Sequence, residues 1–397
     1  MPIVAHSPEF KSTNRAMAYG GFSAFSMLYG LQPLMPMLSA DFHVSAVAGS
    51  GVISVSAATL AASLIPASIV ARRYGLKPIM CLALALSAFL TLIAACTTNL
   101  TQLLVCRGLL GIALAGFPAI AMAYLGEEID ALALGRSIGI YIAGSALGGL
   151  CGRMLMAFLA DWLSWRAALC SLGCVGLIVA FEFWRLLPNS QHFEAQRFKL
   201  KTWWADVTSH WSDAGLPWLF MQGFLLMGCY VSLYNYLGYR LVAAPFNFRP
   251  ASLGMMSAMN VIGIFASTWA GRAADQYGRR KVLWWMVAIM MAGLMVTLTN
   301  HISLLLIGVG IFTFGFFSAH AMASSWVGRR AQTAKTLASS FYVSAYYLGS
   351  SLVGTLSGFI WQSYHWKGMV IFLGILLSVC MFIALELRKL VPLKVLA

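Results

Sequence analysis

Residues 271–281 read GRAADQYGRRK and residues 72–77 read RRYGLK, and each of these short basic turns stands between two long apolar runs. Their central glycines, Gly75 and Gly278, are 203 positions apart (278 − 75). A basic turn at corresponding places in the two halves of a 397-residue chain indicates a duplicated unit. The two turns therefore predict two similar halves, in which the apolar runs are the structural elements.

The composition places those runs in a membrane. Hydrophobic residues make up 60% of the chain and charged residues only 10%, which is far from a soluble domain. The runs are about 20 residues long, the length at which a helix crosses the hydrocarbon core. Twelve spans are predicted, near 16–38, 48–70, 79–98, 103–124, 137–159, 167–187, 215–238, 251–270, 283–300, 302–326, 337–360 and 368–387. The fold class is an all-α membrane protein with two six-helix bundles.

The predicted domains are an amino-terminal bundle over 1–190, a linker over 191–214 and a carboxy-terminal bundle over 215–397. The linker carries Arg197, Lys199, Lys201 and several tryptophans. Such a segment is typical of a helix lying along the headgroup surface. A solvated connector is an equally open interpretation.

The distribution of Lys and Arg predicts the orientation, because cations are retained on the cytoplasmic side during insertion. If both termini are cytoplasmic, all but six of the 26 Lys and Arg residues fall on that side. The six are Arg166, Arg240, Arg249 and Lys367 outside, and Arg107 and Arg153 within spans. This sorting accounts for the net charge of +14 as membrane topology and attraction to anionic lipid. No nucleic-acid partner is expected.

The residues offer little for catalysis or metal binding. The eight cysteines lie within or at the ends of apolar runs, where a thiol packs as a small hydrophobe. No paired CxxC or HExxH spacing occurs. We therefore expect no enzyme, no metal site and no cofactor.

The second turn carries a family resemblance. Gly271, Asp275, Gly278, Arg279 and Arg280 match the cytoplasmic signature Gly-x-x-x-Asp-Arg-x-Gly-Arg-Arg/Lys of the major facilitator superfamily, except that glutamine stands in the first Arg position. In that family the acidic residue caps a neighbouring helix and the basic residues anchor the turn, so that together they hold the cytoplasmic side closed. The resemblance implies this gating role for the five residues.

The first turn departs from the signature. Ser68 stands in place of the leading glycine, Arg72 in place of the aspartate and Leu76 in place of an arginine, while Arg73 and Gly75 are kept. We hypothesise that the amino-terminal half closes with a weaker or different lock. Alternatively, the two arginines serve only to fix topology.

Two further resemblances lie in the fourth and fifth predicted spans. Arg107, Gly108 and Gly111 are similar to the family's intramembrane Arg-x-x-Gln-Gly element. A charge within a span marks a functional path, although Arg107 lies near the outer end of its span and could instead snorkel to the interface.

The fifth span has glycines that track the family's antiporter motif, Gly-x8-Gly-x3-Gly-Pro-x2-Gly-Gly. Gly144, Gly148 and Gly152 keep the spacing, whereas Gly149 replaces the proline and Arg153 replaces the last glycine. Glycines four apart also favour close helix packing. Together these motifs resemble the bacterial YnfM-type branch, whose members look like proton-driven efflux permeases.

Proton coupling needs a titratable group, and carboxylates stand only near the ends of the predicted spans. His320 is the only histidine within a predicted span, and imidazole titrates in the required range. We regard it as the coupling candidate. Alternatively it is a structural histidine bonded to a hydroxyl on its own helix, such as Ser318 or Ser324.

The family places spans one, four, seven and ten around the substrate. Polar candidates for that cavity are Tyr29, Gln32, Tyr234, Asn235 and Asn260, the first two spaced to share one helix face. With Arg107 and Arg153 in the spans, a neutral or anionic amphiphile is favoured over a cation.

The predicted function is proton-coupled efflux of a small amphipathic molecule by alternating access. The expected partners are that substrate, protons and the lipid bilayer, and the expected state is a monomer in a bacterial inner membrane. Uptake of a small organic acid is the first alternative. A non-transporting or degenerate family member is the second.

Overall fold

The structure is a computed structural model that describes residues 3–5, 7–191 and 200–390, without the side chains of Ala131, Leu200 and Asp275. Its contacts divide the chain into two compact units. The amino-terminal unit comprises Met1–Phe198 and Phe248–Ser257, and the carboxy-terminal unit comprises Lys199–Asn247 and Ala258–Ala397. Whether domain boundaries fall at 190 and 214 remains a prediction.

The described residues of the amino-terminal unit are helical almost throughout. Its helices are α1 (Pro8–Tyr29), α2 (Met35–Asp41), α3 (Ala46–Tyr74), α4 (Leu76–Ala95), α5 (Leu100–Leu114), α6 (Pro118–Glu128), α7 (Ala131–Trp162) and α8 (Trp165–Leu186), with a 3₁₀ turn at Gln32–Leu34 between α1 and α2.

The first helix begins earlier than the hydrophobicity predicts. Ser7 Oγ accepts the Phe10 N–H at 3.0 Å, and Pro8 occupies the first helical position. A serine cap followed by proline starts a helix even in a polar segment. The helix therefore extends eight residues before the predicted span start near residue 16.

The fourth predicted span is two helices. Pro118 starts α6, and Phe117 before it leaves the helical conformation at φ −121° and ψ −61°. Proline disfavours a helical conformation in the residue before it, so α5 ends at Leu114 instead of running through.

The carboxy-terminal unit contains α9 (Leu200–Trp211), α10 (Leu216–Val242), α12 (Ile262–Tyr277), α13 (Arg279–Val296), α14 (Ile302–Arg330) and α15 (Lys335–Lys389). The short helix α11 (Pro250–Met255) groups with the amino-terminal unit, and a 3₁₀ segment, Met256–Val261, joins it to α12. The last helix is broken at His365, which has φ 52°. It therefore consists of two helices, over 335–364 and 366–389.

Nine helical segments in the described part of the chain are long and apolar enough to cross a membrane. Large apolar side chains on their surfaces are exposed, such as Ile178 at 63% in α8 and Ile371 at 64% in α15. Water would not tolerate such continuous apolar surface, whereas lipid does. The exposed faces therefore fit a bilayer.

The linker helix α9 is amphipathic. Trp204 and Trp211 are exposed, while Val207 and His210 are buried. The predicted linker residues Arg197 and Lys199 lie outside the described residues. The placement of α9 at a lipid surface stays a prediction.

Candidate functional site: paired turns, buried arginines and an aromatic cluster

The two basic turns have the same backbone geometry. Gly75 has φ 106° and ψ 146° between α3 and α4, and Gly278 has φ 85° and ψ 140° between α12 and α13. Each glycine N–H bonds the carbonyl oxygen four residues earlier, that of Ala71 or Ala274. Positive φ is strained for any side-chain-bearing residue, so the glycine is required in both copies. The repeat seen in the sequence is therefore also present in the backbone dihedral angles of the two turn glycines.

The charges around the turns differ. Arg72 and Arg73 are exposed at the end of α3, and Arg72 lies within electrostatic range of Glu127 at the end of α6. At the second turn, Arg279 Nε donates to Ser325 Oγ on α14 at 3.3 Å.

The remaining signature residues of the second turn are Gly271, Asp275, Gly278 and Arg280. Among the described side chains and neighbouring helices, no atom lies within 4 Å of where a Cβ on Gly271 or Gly278 would stand. Arg280 is half-buried. The backbone of Asp275 belongs to α12, but its side chain lies outside the described residues.

The glycines of the fifth span pack against the first. A Cβ on Gly148 would overlap the carbonyl oxygen of Phe22, one on Gly152 would lie 2.7 Å from Ser26 Cα, and Gly144 meets the same helix at 2.5 Å. Ser26 Oγ also donates to the Gly148 carbonyl at 2.8 Å. The packing seam between α1 and α7 is real, as the spacing indicated. A role of these glycines in exchange remains a prediction.

Arg107 is buried, with 1% exposure. Its Nε donates to the Val52 carbonyl at 2.8 Å, and its two terminal nitrogens donate to the carbonyls of Met27 and Leu28 at 2.7 and 2.6 Å. Snorkelling was therefore the wrong interpretation. The guanidinium joins α1, α3 and α5, and it stays a formal positive charge because carbonyls neutralise it only partly.

Arg153 is the second buried cation of this unit, at 7% exposure. Its Nε donates to Gln32 Oε1 at 2.7 Å, another nitrogen donates to the Gly149 carbonyl at 2.9 Å, and the guanidinium lies 4.8 Å from the centre of the Tyr29 ring. Tyr29 and Gln32 do not share a helix face, since α1 ends at Tyr29. Both side chains nevertheless contact the Arg153 guanidinium.

In the carboxy-terminal unit the predicted cavity residues make neutral contacts. Tyr230 Oη donates to Asn260 Oδ1, and Tyr234 Oη and Thr313 Oγ1 are 2.9 Å apart. Asn235 is fully buried. These contacts tie α10 to α14 and to the 3₁₀ segment before α12.

His320 lies inside α14 with aromatic neighbours. Its Nδ1 is 2.9 Å from Tyr342 Oη, and its ring stacks near Phe316 and Tyr346, at centroid distances of 5.9 and 4.7 Å. The expected alternative partner Ser318 instead donates to the Ala266 carbonyl at 3.1 Å. The hydrogen bond described for His320 is therefore to Tyr342 on α15, and Ser318 has a different partner.

Sequence reasoning named Tyr234 but missed three other tyrosines of this site, Tyr230, Tyr342 and Tyr346. Tyr230 and Tyr234 are four residues apart on α10, and so are Tyr342 and Tyr346 on α15. Residues four apart share a helix face. That repeated spacing on two helices was the available signal.

Sequence reasoning also missed an ion pair formed by Asp213, just before the start of α10. Asp213 Oδ1 accepts N–H groups from Gly215 and Leu216 at 2.8 Å and pairs with the Arg330 guanidinium. Burial raises the pKa of Asp213, but the Arg330 hydrogen bond and the two backbone donors outweigh it and hold the pKa below its usual value. In the described residues, no group of three or more acidic, His or Cys side chains is arranged for a metal.

Helices of this length and apolarity, two units with matching turns, and polar groups buried inside apolar helices define a multi-pass membrane transporter. A sequence profile of the Major Facilitator Superfamily matches residues 17–244 and 237–394. The chain belongs to this superfamily, as the turn motif indicated.

Similar proteins agree with that assignment. The chain is 39% identical to an MFS-type transporter, YybF, of Bacillus subtilis, over 95% of this chain and 94% of that one. It is 38% identical to the inner membrane transport protein YnfM of Escherichia coli, over 96% and 92%. A solved bacterial homologue of the human lysosomal transporter Spinster shares the fold with a TM-score of 0.80, at 13% identity over 97% and 98%.

Proposed function

We propose that the chain is a secondary active transporter that exports a small neutral or anionic amphiphile in exchange for protons, by alternating access. The observation that carries the proposal is His320, a titratable side chain half-buried inside an apolar helix and bonded to a partner on a second helix. A protonated imidazole donates from both nitrogens, whereas a neutral one donates from only one. Proton binding therefore changes the bonding between α14 and α15.

The proposal includes twelve spans in two six-helix halves, with cytoplasmic termini, as a monomer in a bacterial inner membrane. The broken last helix supplies two of those spans. The cationic sorting of the loops supports the orientation, and the inner-membrane name of the relative YnfM supports the location. The Glu127–Arg72 proximity supports a different lock in the amino-terminal half, with the anion supplied by α6.

The preference against cations rests on Arg107 and Arg153. Both are buried, and their described hydrogen bonds go to carbonyl and carboxamide oxygens. Their charges are therefore not cancelled by a carboxylate in those bonds, and a buried positive charge disfavours a second cation nearby.

Proteoliposomes test the proposal. Purified protein is reconstituted, and efflux of neutral, anionic and cationic compounds is followed with and without a pH gradient. We expect the gradient to drive neutral or anionic compounds, and His320→Asn to abolish the coupling, because asparagine can still bond Tyr342 but does not titrate. His301→Asn, at the exposed start of the same helix, is the matched control.

Four results would each contradict a part of the proposal. Coupling that survives in His320→Asn removes the histidine from the mechanism, and selective movement of cations removes the substrate class. Accumulation driven inward under the same gradient favours uptake of an organic acid. No flux of any compound favours the non-transporting alternative.

A further inference from the structure

The carboxy-terminal unit contains a continuous wall of aromatic rings. Tyr230 stacks on Phe316 at a centroid distance of 4.0 Å and 14°. Phe316 is followed by His320 at 5.9 Å and 9°, and His320 by Tyr346 at 4.7 Å. The rings come from α10, α14 and α15, so the wall crosses three helices.

One side of this wall is accessible. Two further rings belong to the wall, Phe317 edge-on to Phe316 at 5.0 Å and Tyr342 beside His320 at 5.6 Å. Tyr230, Phe316 and Tyr342 are at most 5% exposed, whereas Phe317, Tyr346 and His320 are half-buried. A phenol and an imidazole are costly against hydrocarbon. The accessible side is therefore better suited to a polar space than to lipid.

A hydrogen-bond donor stands at the end of the wall. In this structure the Tyr230 hydroxyl donates to Asn260 Oδ1. Within the described part of the chain, Asn260 Nδ2 is buried without a hydrogen-bond partner. Leaving such a group unpaired costs about 1–3 kcal/mol, so an acceptor oxygen on a ligand would be favoured there.

We propose that this wall is the subsite that selects the substrate, and that the substrate is a planar unsaturated ring compound carrying an oxygen acceptor. The inference rests on the proposed transport function and narrows its substrate class. Ring faces and edges attract each other through their quadrupoles, and a saturated ring of equal size lacks this attraction. Phe317 and Tyr346 are the accessible specificity residues, and Asn260 is the donor to the oxygen.

Matched pairs of compounds test the proposal. Binding of benzoate and cyclohexanecarboxylate, and of benzyl alcohol and cyclohexylmethanol, is measured by titration calorimetry on the full chain in nanodiscs. Within each pair only the aromaticity and flatness of the ring differ. We expect the preferred aromatic member to bind roughly three- to tenfold tighter than its saturated partner.

Variants locate the effect. Tyr346→Leu and, separately, Phe317→Leu should bring the aromatic-to-saturated ratio close to one, while Tyr364→Leu, at 67% exposure on α15, should leave it unchanged. Two half-buried positions are used so that one poorly folded variant does not decide the outcome.

The possible failures are distinguishable. If aromatic and saturated members bind equally, or if both wall variants keep the preference, the subsite is wrong while transport stands. If compounds are transported but none of them is aromatic, the substrate class is wrong. If the proteoliposomes move no compound at all, the proposed function itself fails, and this inference falls with it.

Discussion

Each of the two units contains an arginine–tryptophan–threonine cluster, and the two clusters share the same kinds of residue but differ in their charge contacts. In each, a tryptophan starts the last helix, Trp165 or Trp366, and an arginine guanidinium lies over its ring, at 4.1 or 4.6 Å. In each, that arginine also bonds a threonine carbonyl after the third long helix, that of Thr97 or Thr297. The tryptophans are 201 positions apart (366 − 165) and the threonines 200 (297 − 97).

The arginines themselves come from different places. In the amino-terminal unit Arg166 follows the tryptophan and pairs with Asp41 at 3.1 Å, with both side chains more than 40% exposed. In the carboxy-terminal unit Arg240 comes from α10, is 8% exposed and bonds the carbonyls of Thr297 and Thr299. Both units thus contain the cluster, but its arginine forms an exposed ion pair in the amino-terminal unit and is a buried cation in the carboxy-terminal unit.

Each unit has a seam where a helix glycine packs against the backbone of another helix, at Gly148 in the amino-terminal unit and Gly349 in the carboxy-terminal unit. Substitutions at these two glycines should cause the largest losses of stability and show whether the units are equivalent. A Cβ on Gly148 would overlap the Phe22 carbonyl, and one on Gly349, between α15 and α10, would overlap the Phe224 carbonyl. We expect Gly148→Ala and Gly349→Ala each to destabilise the fold by about 3 kcal/mol, the upper range for overpacking, in thermal unfolding of the detergent-solubilised protein.

Matched controls exist in the same two units. Among the described residues, no atom beyond the chain neighbours and the local helix backbone lies within 4 Å of a Cβ added at Gly139 on α7 or Gly328 on α14. Gly139→Ala and Gly328→Ala should therefore be neutral or gain up to about 1 kcal/mol from helix propensity. Equal effects of the seam and control variants would show that the seams do not limit stability.

Substitution of the two cluster arginines, Arg240 and Arg166, should change stability by unequal amounts, unlike substitution of the two seam glycines. Arg240→Met removes the charged donor from the Thr297 and Thr299 carbonyls, although Trp366 Nε1 still donates to Thr297 at 3.0 Å. We expect a loss of about 2 kcal/mol, because hydrogen bonds to charged groups contribute about 1.5–3 kcal/mol. Arg166→Met breaks an exposed pair, for which about 0–1 kcal/mol is usual. Unfolding of both variants by the same thermal assay compares them directly. Similar losses would contradict the contrast between a buried cation and a surface pair.

Sequence predicted what is encoded locally. The turns at Gly75 and Gly278 are set by adjacent residues, since only glycine adopts their positive φ without strain. The α1–α7 seam is also periodic in sequence. Helix type and the repeat could therefore be read before any contact was known.

Sequence did not predict which distant atoms meet. Nothing near Arg107 indicates that the Met27, Leu28 and Val52 carbonyls surround it, because those partners are 55 to 80 positions away. The same holds for His320 and its partner on α15. Hydropathy also could not detect that a serine cap starts α1 at Pro8, since a capping signal is independent of apolarity.

The smallest predicted effect concerns the start of the first long helix in each unit. Ser7 caps α1 with a neutral hydroxyl, whereas Asp213 lies at the start of α10 with a carboxylate. Because the folded-state pKa of Asp213 is lowered, its contribution is fully present above the unfolded pKa, about 3.9, and is lost as the pH falls through the lower folded value.

The two caps should therefore respond differently to acid. We expect Asp213→Asn to cost less than about 1 kcal/mol near neutral pH, given solvent screening, and the gap from the unmodified protein to close below about pH 4. Ser7→Ala should cost about 1 kcal/mol or less at every pH, because a hydroxyl does not titrate in this range. Thermal unfolding from pH 7 down to 3 measures both. A gap for Asp213→Asn that stays constant with pH would show that the carboxylate charge adds nothing, and the two units would then cap their first long helices by equivalent neutral bonds.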